Sequence, residues 1–225
     1  IGLVLNESGQ LEHSIEYYKK SLAIQIKLIG KENPDLAVIH FKIGSILMQT
    51  GNYLNAKRSF MRCLKILLIS SPENEKNLST VFGKIGDLYF SLNDFKKAFK
   101  FYSKSLQIEL KNFKENFIEI ASNYFDISEC LFNLKKYNAA IDSLNKGFRI
   151  HQTGAFPFKI AQCYEALNEK ENALDFYIQS AEKRKEDPEV GLEAEATQAA
   201  ISNAIRLAKE LDKVNELPDW MKNNN

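Results

Sequence analysis

The sequence predicts an all-α fold, a solenoid of antiparallel helix pairs closed by a capping helix near the C-terminus. Three observations lead there. One spacing of small and large residues returns four times: Ile1-Gly2, Leu5, Gly9, Leu11, Ser14, Tyr18 and Leu22; Ile43-Gly44, Leu47, Gly51, Tyr53, Ala56, Phe60 and Leu64; Ile85-Gly86, Tyr89, Asn93, Phe95, Ala98, Tyr102 and Leu106; and Ile127-Ser128, Leu131, Tyr137, Ala140, Leu144 and Phe148. Ser14, Ala56, Ala98 and Ala140 stand 42 residues apart. Between these landmarks apolar residues recur at intervals of three and four, the mark of an amphipathic helix. Gly51-Asn52 and Asn93-Asp94 break that pattern in mid-unit, as a turn between two helices requires. The small residues Gly44, Gly86 and Ser128 let a first helix approach its neighbour closely, and Ala56, Ala98 and Ala140 do the same from the second helix. The aromatics fill the space on either side.

Taken in order, residues 1–29 form a partial first unit that enters the frame midway along its first helix, with its second helix from Leu11. Further repeats or another domain are therefore expected upstream. The second unit spans 34–70, with helices over 35–49 and 53–69. Pro34 suits a first helical turn, where its missing N–H has no partner in any case. The third and fourth units span 76–111 and 115–152. Thr153-Gly154 closes this run, and the fifth unit, 155–186, is shorter. Its Ile160-Ala161, Tyr164, Ala173 and Tyr177 keep the frame, but Ala173 follows Ala140 by 33 residues. After Asp187-Pro188, the Ala- and Leu-rich stretch 189–213 reads as a capping helix, because a solenoid needs a terminal unit with a polar outer face. In the tail, 214–225, Trp220 is expected to fold back onto the last helices and Asn223-Asn224-Asn225 to be disordered.

This pattern resembles the tetratricopeptide repeat family, whose signature is a large-Gly pair, an aromatic, Gly, Ala, an aromatic and Ala-Leu. The usual unit of that family has ~34 residues, so the longer period is similar to its long-helix variety, as in kinesin light chains. The connector Ile29-Gly30-Lys31-Glu32-Asn33-Pro34-Asp35-Leu36-Ala37 is similar to that variety's Leu-Gly-x-x-His-Pro-x-x-Ala, with Asn33 where His would stand. Ser70-Ser71-Pro72 and Lys111-Asn112-Phe113 depart from it. The resemblance implies a right-handed superhelix whose first helices line a concave face that binds peptides or partner helices.

Bulk chemistry narrows the function. The formal net charge is +1, with 25 Lys and 5 Arg, which gives no strongly basic face for nucleic acid. No apolar run approaches the ~20 residues needed to span a bilayer, so no membrane insertion is expected. Cys63, Cys130 and Cys163 are odd in number and lack metal-ligand spacing. Each falls at a small, buried position of the frame, which implies a reducing compartment, the cytoplasm. His13, His40 and His151 lie far apart, no Ser or Cys sits beside a base, and the glycines are explained by turns and packing. Neither catalysis nor a metal or cofactor is expected.

The resemblance places candidate partner-binding residues on the first helices: Phe41, Lys42, Ser45 and Met48; Thr80, Lys84, Asp87 and Phe90; Phe125, Asp126, Glu129 and Phe132; and Lys159. Aromatics spaced along a groove, with Lys and acids between them, suit an extended segment held by stacking and matched charge. Phe41 and Phe125 suit a second role equally, plugging the gap between consecutive first helices. Members that clamp a C-terminal carboxylate use Lys, Asn and Arg where this chain has Phe41, Ser45, Lys84, Ser122 and Asp126, so that clamp is missing. The Asn ladder of the long-repeat adaptors is replaced by Lys42, Lys84, Asp126 and Lys159. The reading is a protein-interaction scaffold or adaptor with a protein or peptide partner. Two alternatives remain at this point: a peptide-sensing module that switches an attached domain, and a substrate-selecting array of a larger enzyme.

Overall fold

The structure, a computed structural model, describes residues 1–31, 33–70, 75–112, 117–187, 191 and 194–222. Pro188, the tail Asn223–Asn225, and the connector residues Ser71, Pro72 and Phe113 lie outside the described residues. Among the described residues every regular element is helical. The chain divides into two compact units, 1–112 and 113–225.

The first unit holds α1 (Gly2–Glu7), α2 (Leu11–Ile29), α3 (Asp35–Gln49), α4 (Tyr53–Ser70), α5 (Glu75–Ser91) and α6 (Phe95–Glu109). They pack as consecutive pairs, α1 on α2, α3 on α4 and α5 on α6, and each pair rests on the next through α2 with α3 and α4 with α5. The second unit holds α7 (Phe117–Asn133), α8 (Tyr137–Ile150), α9 (Ala155–Ala166), α10 (Lys170–Glu186), α11 (Glu195–Glu210) and the short α12 (Asp219–Lys222). Here α7 pairs with α8 and α9 with α10, while α11 packs on α10.

What closes each of the first three pairs is a glycine facing a ring. A Cβ built on Gly44 would stand 2.8 Å from the Phe60 ring, and one on Gly86 only 2.6 Å from Tyr102. On Gly2 it would meet Tyr18 at 3.2 Å. Phe60 is wholly buried and Tyr102 nearly so, so neither ring has room to withdraw. The fourth pair carries the complementary exchange, Ser128 with Leu144, both buried. The smaller aliphatic side chain leaves space for a hydroxymethyl group, whose Oγ donates to Phe125 O at 2.6 Å. In the first pair Ser14 occupies the position of Ala56 and is also fully buried. Its hydroxyl donates to Gly2 O at 2.6 Å, so the extra polar atom is satisfied.

The turn inside every pair is one motif repeated. Gly9, Gly51, Asn93, Lys135 and Asn168 all have positive φ. Each donates its N–H three residues back, and the following residue donates five back, as in Asn93 N to Phe90 O (2.9 Å) and Asp94 N to Tyr89 O (2.9 Å). This is a Schellman closure, which satisfies helix-end carbonyls and reverses the chain at a left-handed residue. Asp212, with φ 58°, makes the same closure after α11 through Lys213 N to Ala208 O at 2.8 Å. By that criterion α11 is built like the first helix of a further pair. Leu217, Trp220 and Met221 cover it where a second helix would stand, and Lys185 lies 4.4 Å over the Trp220 ring.

Helix starts are less uniform. Asn33 Oδ1 accepts from Asp35 N at 2.9 Å, so Asn33 caps α3 and Pro34 sits in the first turn. Asp94 caps α6 through Lys97 N at 3.2 Å and holds the Lys97 ammonium as well. At the other end of the second unit, Arg206 of α11 binds Glu165 Oε1 at 2.6 Å. Glu165 Oε2 in turn accepts the Tyr177 hydroxyl at 2.6 Å. Burial and the Glu165 bond raise the Tyr177 pKa well above the ordinary tyrosine value.

Two outcomes are expected. Gly86→Ser should destabilise the protein by ~1–2 kcal/mol, since overpacking costs ~1–3 kcal/mol and relief from glycine's poor helix propensity offsets part of it. Adding Tyr102→Leu, the combination that Ser128 and Leu144 display, should recover stability, with a coupling of about 1 kcal/mol or more in a urea-denaturation cycle. Strict additivity would show that the ring and the glycine are not in conflict. Lys135→Gly should raise the denaturation midpoint by a gain of ~0.5–1 kcal/mol, because a left-handed backbone penalises any Cβ; a lowered midpoint would contradict this.

Candidate functional site

The first helices α3 and α5 lie against each other in the first unit, and the sequence-derived candidates separate there into two groups. Phe41 and Thr80 come together at a cleft of about 320 Å³ lined by Pro34, Asp35, Ala37, Val38, Phe41, Cys63, Leu67, Asn77, Thr80 and Val81. Its floor comes from α4 through Cys63 and Leu67, and its rim carries a carboxylate, an amide and a hydroxyl. Phe41 is held in place by an edge contact to Phe60, with ring centroids 5.8 Å apart. Thr80 is exposed, and its hydroxyl turns back to Lys76 O at 3.0 Å.

Val38 has no place among the sequence-derived candidates, yet it is 57% exposed on the wall of this cleft. The available signal was its spacing: it precedes Lys42 by one helical turn and stands on the same face as Phe41.

The remaining candidates of the first unit lie outside the cleft lining. Ser45 and Met48 are half-buried on α3, and the Ser45 hydroxyl donates to Phe41 O at 3.0 Å. Lys42 is half-buried as well. Lys84 is exposed and pairs with Asp87 at 2.7 Å, while Asp87 Oδ1 accepts the Tyr102 hydroxyl at 2.9 Å. Asp87 thus links an α5 surface charge to the ring that seats on Gly86. Phe90 stacks edge-on against Phe95 at 5.3 Å, bracing the turn between α5 and α6.

In the second unit the candidates on α7 and α9 contact residues of their own fold. Phe125 meets Phe156 edge-on at 5.5 Å, filling the space between these helices. Glu129 and Lys159 form an ion pair at 2.5 Å, with side chains 24% and 14% exposed. The Lys159 ammonium also lies 4.4 Å over the Phe132 ring, and Phe132 meets Tyr137 at 5.3 Å. Glu129 Oε1 has no aligned hydrogen bond, and its charge is met by this ammonium instead. Asp126 is half-buried beside this group. Phe132, Glu129 and Lys159 are therefore one packed cluster whose charges are already matched.

The three cysteines are buried and unpaired. Burial pushes the Cys63 and Cys130 thiols up to about 12 and Cys163 to about 11. Cys63, in the cleft floor, is thus a neutral wall group and not a nucleophile. No three His, Cys, Asp or Glu side chains among the described residues are placed to hold a metal ion. No helix among those residues is long and apolar enough to cross a membrane.

Models described as tetratricopeptide repeat match residues 1–69, residues 79–112 with 121–151, and residues 155–184. They describe a repeat module and not a catalytic family. No curated protein sequence gives a significant match. Among solved structures, BtubC (BKLC) from P. vanneervenii superposes with a TM-score of 0.72 at 15% identity, over 95% of this chain and 90% of that one. A putative kinesin light chain from Podosopora anserina, with nearly identical TPR-like repeats, gives a TM-score of 0.70 at 15% identity over 82% and 91% of the two chains. The apo form of RapI gives 0.77 at 14% identity, over 91% of this chain but 55% of that one. At these identities the likeness is one of fold. The 42-residue frame, the helix pairs and the matched family models agree, and the chain belongs to the tetratricopeptide repeat family.

Proposed function

We propose that this chain is a non-catalytic interaction scaffold that takes an extended peptide or a helix of a protein partner onto the first helices of its pairs. Repeats of this family generally mediate binding to protein partners, and the observation that carries the reading here is the α3–α5 cleft. An exposed Val38 and the edge of Phe41 form its wall, with Asp35, Asn77 and Thr80 at the rim. An apolar surface ringed by polar groups suits an aliphatic side chain of a partner, whose full burial contributes ~1.5–3 kcal/mol. The rim groups then set the orientation of the flanking backbone.

Lys42, Ser45, Met48, Lys84, Asp87 and Phe90 extend this contact along the first unit. On the second unit, Phe125, Asp126, Glu129, Phe132 and Lys159 supply a further contact face that is rigid because its aromatics and charges are already paired. Rigid, preorganised contacts lose little side-chain entropy on binding. Three protonated, buried thiols fit an adaptor working in a reducing compartment, the cytoplasm.

Peptides selected from a random phage library against the folded protein provide the test. The expected result is a set of binders with an aliphatic anchor that lose about tenfold in affinity on Val38→Asp, equivalent to ~1.4 kcal/mol, while Asn55→Asp on α4 leaves them unchanged. Selected peptides that bind the Val38→Asp protein as well as the parent would remove the cleft from the function.

A further inference from the structure

A second cleft flanks the opposite side of α3 and has a different chemistry. It measures about 390 Å³ and is lined by Ile26, Lys31, His40, Arg62, Lys65, Ile66 and Ile69. Three cations and an imidazole thus border an aliphatic floor, and among the described residues no carboxylate lines it. The cations are also unpaired: among the described residues, Lys31, Arg62 and Lys65 take part in no ion pair or hydrogen bond. Arg62 also lines the neighbouring cleft that holds Glu12, Glu16, Lys19 and Arg58, and among the described residues it forms an ion pair with neither carboxylate.

His40 is the second observation. It is only 7% exposed, yet no side-chain hydrogen bond is made by its ring among the described residues. The ring nitrogens are not sealed from solvent, and the cleft that the ring borders is where they can meet a partner. Burial and the nearby Arg62 charge push the His40 pKa below its ordinary value. At neutral pH the ring is therefore uncharged and retains one N–H to donate.

We propose that this cleft, formed by α2, α3 and α4, is an oxyanion-binding site for a carboxylate or phosphate carried on an aliphatic stem. Arg62 offers a planar fork that matches either oxyanion, and Lys31 and Lys65 add charge without fixing orientation. His40 donates its N–H from the floor, and Ile26, Ile66 and Ile69 receive the stem. The site is separate from the α3–α5 cleft and does not depend on the reading of that cleft.

The test is an NMR titration of the whole chain with hexanoate, acetate and inorganic phosphate in turn, following the His40 ring and the Arg62 Nε–H signals. Hexanoate is expected to shift both and to bind at least fivefold more tightly than acetate, because its stem reaches the isoleucines. Phosphate shifting the same signals more strongly than acetate would identify a phosphoryl ligand; the reverse order would identify a carboxylate. Arg62→Gln, an exposed substitution that should leave the amide fingerprint intact, is expected to weaken binding at least tenfold. Equal affinity for hexanoate and acetate, unchanged His40 signals, or binding unaffected by Arg62→Gln would each overturn the proposal.

Discussion

The contact between a glycine on the first helix and an aromatic ring on the second is the constraint on which the rest of the fold depends. Gly44 against Phe60 and Gly86 against Tyr102 leave no space for even one added carbon. That closeness brings the apolar stripes of both helices into full register, burying Ile43, Ile46 and Leu47 on one side and Cys63, Leu64 and Leu67 on the other. Where the ring is absent the glycine is absent as well, as Ser128 and Leu144 show. The fifth pair uses an intermediate solution, Ala161 with Tyr177, both buried. A similar close approach operates between consecutive pairs, since a Cβ on Gly147 would collide with Phe156 at 2.3 Å. Volume is conserved across the contact more strictly than residue identity, as close packing demands.

Much of this was legible in the sequence because it is periodic. Gly2, Gly44, Gly86, Tyr18, Phe60 and Tyr102 sit at equal spacing, and only small-against-large packing between two helices explains that. Gly9, Gly51 and Asn93 announced their turns because those residue types tolerate positive φ. Lys135 did not, since a lysine carries no such preference. Its left-handed backbone, φ 58°, is imposed by the helices it joins. Nor does the composition of 189–213 reveal that α11 ends in the same closure at Asp212, which shows only in the hydrogen bonds of Asp212 and Lys213.

The candidate site was less legible, for a different reason. The repeat frame assigns a residue to a helix and a face, but it does not say which side chains across that face are already engaged. Lys159 and Glu129 read as groove charges, and their spacing in the chain does not reveal that they lie 2.5 Å apart and are matched to each other. Phe90 and Phe132 read as ligand-stacking rings, and both brace the turn to the second helix of their own pair. Val38 escaped because apolar periodicity cannot distinguish a buried valine from one lining an open cleft. A cavity arises from what fails to fill a space, and sequence patterns record only what is present.

The glycine–ring contact has a consequence for cooperativity: the two helices of a pair should gain and lose protection together. Native-state hydrogen exchange on the parent and on Phe60→Leu measures this directly, because the substitution acts on α4 while the glycine it faces lies on α3. The account predicts faster exchange throughout α3 and α4 alike, with the largest change at the amides around Gly44. Faster exchange in α4 alone, with α3 as protected as before, would contradict it.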